Sequence, residues 1–482
     1  MARYLARMSR VSDLGLRLSA VFRRTAPDPL VLAILLTLAT FLLALTLGRF
    51  EAADGGLLSR AARLLDAWRF DETAPPAARV GLWKFLEFSM QMCLILVTGH
   101  AVAMTSPVRA LIDAIASRPR STGQAAGLIA FTACAAGLIN WGLGLIVGAL
   151  LAREVGRSME RRGVTAHYPL LCAAGYMGML IWHGGLSGSA PLAMTTRQAA
   201  EKVIPAQYLA QVAAEGVPLT QTILSPMNLF ITGGLLFGVP LMLSLLAPTR
   251  REDLLPISRF DVRDEPEPDD GPPQTLPDRL DRSPVISWLI ALPMLLGLAR
   301  WVTAEGDWRS IGLNQVNLFM LAIGLILHGS PTAYMRAATD GARGCAGIII
   351  QFPLYAGIMG MMAASGLIGV ISDLFTAIAG ERTVPVLTYL SAGVVNLFVP
   401  SGGGQWGIQG PIALETGLAA GVTPGKMVMS VAYGDQLTNM LQPFWALPLL
   451  GITGVRARDI VGYTAIVMVA AGAWIALGLL VF

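Results

Sequence analysis

Apolar residues in this chain run on without the regularly spaced polar positions that mark one face of a soluble helix. The stretches PLVLAILLTLATFLLALTLG (29–48) and DIVGYTAIVMVAAGAWIALGLLVF (459–482) are almost purely apolar. Each has the roughly 20 residues with which an α-helix crosses about 30 Å of hydrocarbon. The same pattern predicts spanning helices over 29–48, 84–104, 168–192, 226–247, 285–302, 311–329, 344–365, 426–450 and 459–481. The fold class that follows is an all-α polytopic membrane protein with about nine transmembrane helices.

Two further apolar stretches, 122–152 and 384–415, are broken midway by GLINWGLGLIVG and VNLFVPSGGGQWG. About thirty residues is too short for two crossings and long for one, so each is expected to form a re-entrant hairpin. The arginines agree for the first. Arg109, Arg118 and Arg120 precede it, and Arg153, Arg157, Arg161 and Arg162 follow it, so both ends carry the cytoplasmic signature. With an arginine-rich N-terminus inside, 105–121, 153–167, 248–284, 330–343 and 451–458 also fall in the cytoplasm, where Arg336, Arg343, Arg456 and Arg458 fit. Segment 49–83 fits least well; it places arginines outside, balanced by Glu51, Asp54, Asp66, Asp71 and Glu72. The second hairpin would enter from the external face. Two spanning helices are interrupted as well, at WHGGLSGSAP (182–191) and AYGDQLTNMLQP (432–443).

The halves read as repeats. Gln91 and Asp113 stand 22 residues apart, as do Gln351 and Asp373, and AIA follows each aspartate closely (114–116 and 377–379). Asn140 precedes Tyr176 by 36 residues, and Asn396 precedes Tyr433 by 37. Hairpins that start on opposite faces make the repeats inverted, a common plan in secondary transporters. The expected organisation is a cytoplasmic segment 1–28, a first repeat 29–247 (hairpin 122–152, broken helix 168–192), a linker 248–284, a connecting helix 285–310 and a second repeat 311–482 (hairpin 384–415, broken helix 426–450).

Composition sharpens this picture. The chain is 54% hydrophobic and 14% charged, against roughly 25% charged in a typical soluble domain. A net charge of +4 does not point to nucleic acid, because most arginines sit at the ends of apolar segments. Residues 1–28 show no apolar h-region or cleavage site, so the first spanning helix reads as an uncleaved anchor. Cys93, Cys134, Cys172 and Cys345 lie in apolar segments without CxxC spacing and read as membrane-buried thiols. Residues 251–284 are proline-rich and acidic, a solvated linker.

Chemistry gathers at the four interruptions: INWGLG (139–144), WHGGLSGSAP (182–191), PSGGGQWGIQG (400–410) and AYGDQLTNMLQP (432–443). Backbone that leaves the helix at membrane depth must be buried in protein or line a watery cavity. Close packing explains single glycines, but not the Ser, Asn, Gln and Asp that cluster with them. The substrate-binding candidates are Asn140, Trp141 and Gly142 at the first tip, with Gly184, Gly185, Ser187, Gly188 and Ser189 in the first break. Asn396, Ser401, Gly402, Gly403, Gly404 and Gln405 at the second tip and Gln442 in the second break complete the set. Ser187 and Ser189 are expected to cap a half-helix starting near Ala190.

No Lys or Arg enters 168–192, 427–451 or the hairpin cores, which suits a small monovalent anion held by half-helix ends and neutral donors. Trp141, Phe444 and Trp445 offer apolar walls for a short alkyl chain. Asp435 is an acidic residue deep in an apolar segment, a cation or proton site by default. Gln436, Thr438 and Asn439 add hard oxygen ligands. The coupling ion is Na+ or H+, and no cofactor is expected. His183 fits a pH-responsive gate or, more commonly for a lone histidine, a hydrogen-bonded packing residue. His100 receives no role, and Glu87 reads as interfacial. With no GxSxG, P-loop, HExxH or paired carboxylates in the breaks, an intramembrane enzyme is a poor fit and none is expected.

PDPLVLAILLTL (27–38), MQMCLILVTGHA (90–101), INWGLGLIVGALLARE (139–154), GGLSGSAPL (184–192), NLFVPSGGGQWGIQGP (396–411) and YGDQLTNMLQPFWALP (433–448) resemble the short-chain fatty acid transporter family. The resemblance implies an inner-membrane carrier, N-terminus cytoplasmic, that moves short-chain monocarboxylates such as acetoacetate or butyrate on an ion gradient. That family in turn resembles the ion transporter superfamily, which implies interrupted helices, a homodimer and an elevator motion. The chain departs from the pattern at His183, where a glycine run is expected. A dicarboxylate carrier of the same architecture is the alternative; a channel or a sensor fits less well, for want of a continuous polar path or an output motif.

Overall fold

A computed structural model describes residues 13, 15–17, 20–22, 24–25, 27–50, 56–69, 81–195, 216–260, 262, 273–305, 313–376, 380 and 382–482. Most of the N-terminal segment, Glu51, Asp54, Asp71, Glu72, the end of the connecting helix (306–310) and the second AIA (377–379) lie outside the described residues.

The described residues are built from helices and short 3-10 or π turns. In chain order the helices are α1 (Pro29–Leu47), α2 (Leu57–Arg69), α3 (Leu86–Ala103), α4 (Ser106–Ala116), α5 (Thr122–Ile139), α6 (Trp141–Arg161) and α7 (Tyr168–Tyr176). After these come α8 (Ser189–Ala193), α9 (Pro226–Leu245), α10 (Leu276–Asp281), α11 (Pro284–Arg300), α12 (Leu313–His328) and α13 (Pro331–Ala342). The chain ends with α14 (Ala346–Ala364), α15 (Leu367–Thr376), α16 (Val384–Asn396), α17 (Gly402–Ala419), α18 (Pro424–Thr438), α19 (Pro443–Thr453) and α20 (Ala457–Val481).

Several starts are written locally as a small polar cap followed by proline. Asp28 before Pro29 accepts from the Leu30 amide, Ser225 before Pro226 from Asn228, and Ser330 before Pro331 from Ala333. The cap satisfies an orphan N–H, and proline is pre-set for the first turn.

Eight helical stretches among the described residues are long and apolar enough to cross a membrane. Six coincide with predicted spans. Span 344–365 extends back to Pro331, 311–329 shortens to α12, and 426–450 divides into α18 and α19, while α5 joins the long set. The first hairpin is longer than expected: its second arm continues to Arg161.

The repeat seen in residue spacings is a repeat of elements. A spanning helix, a short helix, two hairpin arms and an interrupted helix follow one another as α3, α4, α5, α6, α7–α8 and again as α14, α15, α16, α17, α18–α19. The interrupted helices occupy the interior. Within Tyr168–Ala193, 89% of the apolar window is buried, against 11% in Pro284–Thr303, whose leucines face outward as lipid-facing residues do. All four cysteines are free and buried.

Close crossing is what the core glycines supply. A side chain on Gly148 would overlap the Gly175 carbonyl, so α6 and α7 touch backbone to backbone; Gly434 likewise lies against the Tyr389 carbonyl where α18 crosses α16.

Three regions read as solvent segments carry structure. Helix α2, in the awkward 49–83 segment, packs Ala67 and Trp68 against Gly360 and Gly357 of α14. In the linker, residues 251–260 dock under α7: Ile257 is buried, Leu255 accepts from the Tyr168 amide at 2.9 Å, and Phe260 lies 5.5 Å from the Tyr168 ring. Arg153, counted as an end marker, is buried. It donates to Glu154 at 2.8 Å and lies 3.5 Å from His100, which in turn bonds Asp340 at 2.8 Å.

Candidate substrate and coupling-ion site

At the first tip the chain reverses through a single residue. Asn140 is extended (φ −153°, ψ 130°), ends α5 and begins α6. Its side-chain oxygen accepts from the amides of Gly142 and Leu143 at 3.0 and 3.2 Å. Two of the orphan amides of α6 are thereby satisfied from within. The neighbouring Trp141 amide donates to Ser187 Oγ at 2.9 Å, and the Leu186 amide donates to the Leu138 carbonyl at 2.7 Å. First tip and first break are therefore stitched together.

The first break is wider than its glycines suggest. Helix α7 ends at Tyr176, 3-10 turns cover Met177–Leu180 and Trp182–Gly184, and α8 starts at Ser189. The expected serine caps are not formed. Gly188 is the cap position of α8, without a side-chain hydrogen bond, and Ser187 is turned toward the first tip. Gly184 lies against Thr232 and Asn228 of α9, Gly185 against the Leu138 carbonyl, and Gly188 against the His183 carbonyl. Trp141 and Gly142 are buried, while Ser187 and Ser189 are half-exposed.

The second tip turns over residues 397–401, and Ser401 Oγ caps α17 through the Gly404 amide at 3.2 Å. The Asn396 amide nitrogen, fully buried, faces the Asp435 carbonyl (2.7 Å), Thr438 Oγ1 (3.0 Å) and Asn439 Oδ1 (3.0 Å). Gln442 donates to the Asn396 carbonyl, closing tip to break. Gln405 lies inside the hairpin, donating to the Ala392 carbonyl and to Gln409 and so tying the arms together. Gly403 is exposed, with open space where a side chain would project.

The two halves meet at His183. Its Nε2 lies 3.1 Å from Asp435 Oδ1, its backbone amide donates to Gln436 Oε1 at 3.1 Å, and Gly402 of the second tip packs against its ring and Ser189 Oγ. His183 and Asp435 are 0% and 2% exposed, so the carboxylate is removed from water and needs this partner. Tyr176 donates to the Asn439 carbonyl at 2.9 Å. Trp141, Trp182 and Trp445 form a triangle with ring centroids 5.2 to 6.4 Å apart, floored by Phe88 and Phe444.

Many polar atoms here are buried without a hydrogen-bond partner among the described residues. Asp435 Oδ2, Asn396 Oδ1 and Gln442 Oε1 are acceptors; Gln436 Nε2, Asn439 Nδ2, Trp182 Nε1 and Trp445 Nε1 are donors. Each such group costs about 1–3 kcal/mol, and natural interiors keep few. Acceptors suit a cation, and neutral N–H donors beside apolar rings suit a small carboxylate.

Sequence reasoning gave His183 too little weight and overlooked Trp182, Asn228 and Tyr433. Asn228 donates to the Gly184 carbonyl at 2.9 Å and accepts from Tyr433 at 2.8 Å. A polar Asn inside the apolar run 226–247 was the available signal.

Paired hairpins and interrupted helices, with broken backbone gathered in an apolar interior, define a multi-pass membrane carrier of a small solute. Comparison with known proteins makes this specific. The chain belongs to the short-chain fatty acid transporter family, whose model matches residues 9–482. A protein of Escherichia coli (strain K12), named as a candidate short-chain fatty acid transporter, is 39% identical over 467 residues, covering 95% of this chain and 97% of its own length. A like-named protein of Haemophilus influenzae is 36% identical over 454 residues, covering 92% and 94%. Among solved structures, the Alcanivorax borkumensis YdaH transporter is similar at 16% identity and a TM-score of 0.41, covering 94% and 97%. Neisseria gonorrhoeae MtrF is similar at 14% and 0.36, covering 96% and 97%. The family and these relatives are transporters, not enzymes.

Proposed function

We propose that this protein carries short-chain fatty acid anions of the acetoacetate and butyrate class across the inner membrane, coupled to a cation, Na+ or H+. The observation that carries the reading is the union of His183, Asp435 and the two tips around buried, unpartnered donors and acceptors in a region free of Lys and Arg. A cation on the acceptors cancels the charge of the carboxylate and lowers the cost of moving it through the bilayer. The Trp141, Trp182 and Trp445 triangle suits a short acyl chain, and its indole N–H groups suit the carboxylate.

Substrate contacts are assigned to Asn140, Trp141 and Gly142, to 184–189 without Leu186, and to Asn396, Ser401–Gln405 and Gln442. Asp435, Gln436, Thr438 and Asn439 serve the coupling ion. The inverted repeats support alternating access, with the hairpins and interrupted helices moving as an elevator domain in a homodimer whose N-termini are cytoplasmic.

The test is butyrate accumulation in proteoliposomes under an imposed Na+ or proton gradient. Asp435→Asn keeps the shape and removes the charge, and it is expected to abolish accumulation. Full uptake by the variant would remove Asp435 from the mechanism. Competition by succinate instead of butyrate would favour a dicarboxylate carrier.

A further inference from the structure

A cavity of about 50 Å³ borders the second interruption, with Met440, Leu441, Gln442 and Pro443 in its wall. It reaches deep into the protein: Tyr176, Thr464 and Gln442, which line it, are 1%, 1% and 5% exposed. The hydroxyls of Tyr176 and Thr464 are committed to carbonyls of the interruption. Arg458, half-buried, is the one charged side chain among the described residues that line the cavity.

Three features give the cavity a ligand chemistry. Arg458 has no ion-pair or hydrogen-bond partner among the described residues. Ala457, Arg458, Ile460 and Val461 line it from the first turn of α20, a 25-residue helix whose amide end favours an anion. Asp459 in that turn sends its carboxylate to the Arg456 amide at 3.1 Å. Apart from Tyr176, Gln442 and Thr464, the remaining lining is apolar, Leu32, Ala446, Ile460 and Val461 among it. A guanidinium in a largely apolar lining matches an amphiphilic monoanion: charge at one end, a short tail at the other. Continuity with Gln442, a member of the central constellation, favours the transported carboxylate over a lipid.

We propose that this cavity is a second, peripheral binding site for the substrate class, where Arg458 holds the carboxylate before it passes to the interrupted helices. The proposal rests on the carrier reading. It assigns to Arg458 a role on one side of the membrane only, since alternating access exposes the site to one face at a time.

The experiment measures butyrate transport by the full-length chain in sided vesicles, separately for each direction. Arg458→Gln is expected to raise KM about fivefold at unchanged kcat in one direction, the loss of a partly exposed charge contact. In the other it is expected to lower kcat about fivefold at unchanged KM, because a reversible carrier under a fixed driving force must lose kcat/KM equally both ways. Arg458→Lys restores most of the affinity, and neutral butyramide competes equally well with both variants. Unchanged KM in both directions overturns the proposal, as does an equal rise in both. Loss of dependence on anionic phospholipid at unchanged KM also overturns it, by assigning Arg458 to a lipid headgroup. The carrier reading fails separately, and visibly, if wild-type vesicles take up no monocarboxylate.

Discussion

The two hairpin-and-break pairs share an order of elements but use their polar groups in opposite ways. In the first, Asn140 caps α6 and Ser187 takes the Trp141 amide, so polar side chains are consumed by local backbone. In the second, Asn396 spans three acceptors while Asp435, Gln436, Asn439 and Gln442 each keep a buried atom without a partner among the described residues. The first pair spends most of its polar groups locally and leaves Trp182 Nε1 and His183 Nδ1 without a partner among the described residues; the second keeps more of the unsatisfied chemistry. Sequence symmetry in a duplicated fold therefore does not imply a symmetric site. Ligand groups concentrate where backbone hydrogen bonding has not already absorbed them.

That contrast can be broken experimentally. The largest effect is expected where both halves depend on bare backbone contact. Gly175→Val puts branched carbon into the Gly148 carbonyl, and overpacking there is expected to cost about 3 kcal/mol or more. Loss of a monodisperse peak in detergent and a collapsed thermal transition would register it; a normal protein would mean that α6 and α7 do not cross so closely. Next comes Asn396→Asp, which replaces an amide donor facing three oxygens with another oxygen. Butyrate uptake is expected to vanish, with stability reduced by about 2–4 kcal/mol as buried acceptors lose their donor. The matched change in the first half should be mild for stability. Asn140→Asp retains the cap oxygen, so stability stays near wild type, whereas Asn140→Ala costs about 1 kcal/mol. Equal severity of the two aspartate variants in thermal melting would erase the distinction between the two halves.

Legibility in the sequence followed the range of the interaction. Uninterrupted apolar runs place α1 and α20 almost to the residue, because lipid asks only for length and hydrophobicity. Serine or aspartate before proline announces α1, α9 and α13 from neighbouring residues alone. Helix α2 was missed because its partner, α14, is far along the chain. Arg153 misled for a similar reason. An arginine beside an apolar segment reads as an orientation signal until His100 and Glu154 are seen next to it. At the candidate site, each glycine and amide cluster touches a break, but 402–410 and 432–438 are helical, so the breaks narrow to 397–401 and 439–442. Their side-chain roles were not legible: Gln405 looked like a tip residue and serves inside its hairpin, and Ser187 of the first break takes the Trp141 amide of the first tip.

Residue order by itself determined a membrane-spanning helical chain, its two similar halves and the places where its helices break. Hydrophobic length and helix-breaking residues act locally, so neighbouring positions suffice. Only the tertiary structure decided which polar groups remain available. Whether an amide or carboxylate is spent or free depends on partners such as His183 and Asp435, 252 residues apart in sequence. Such partners meet only when the apolar helices between them have packed.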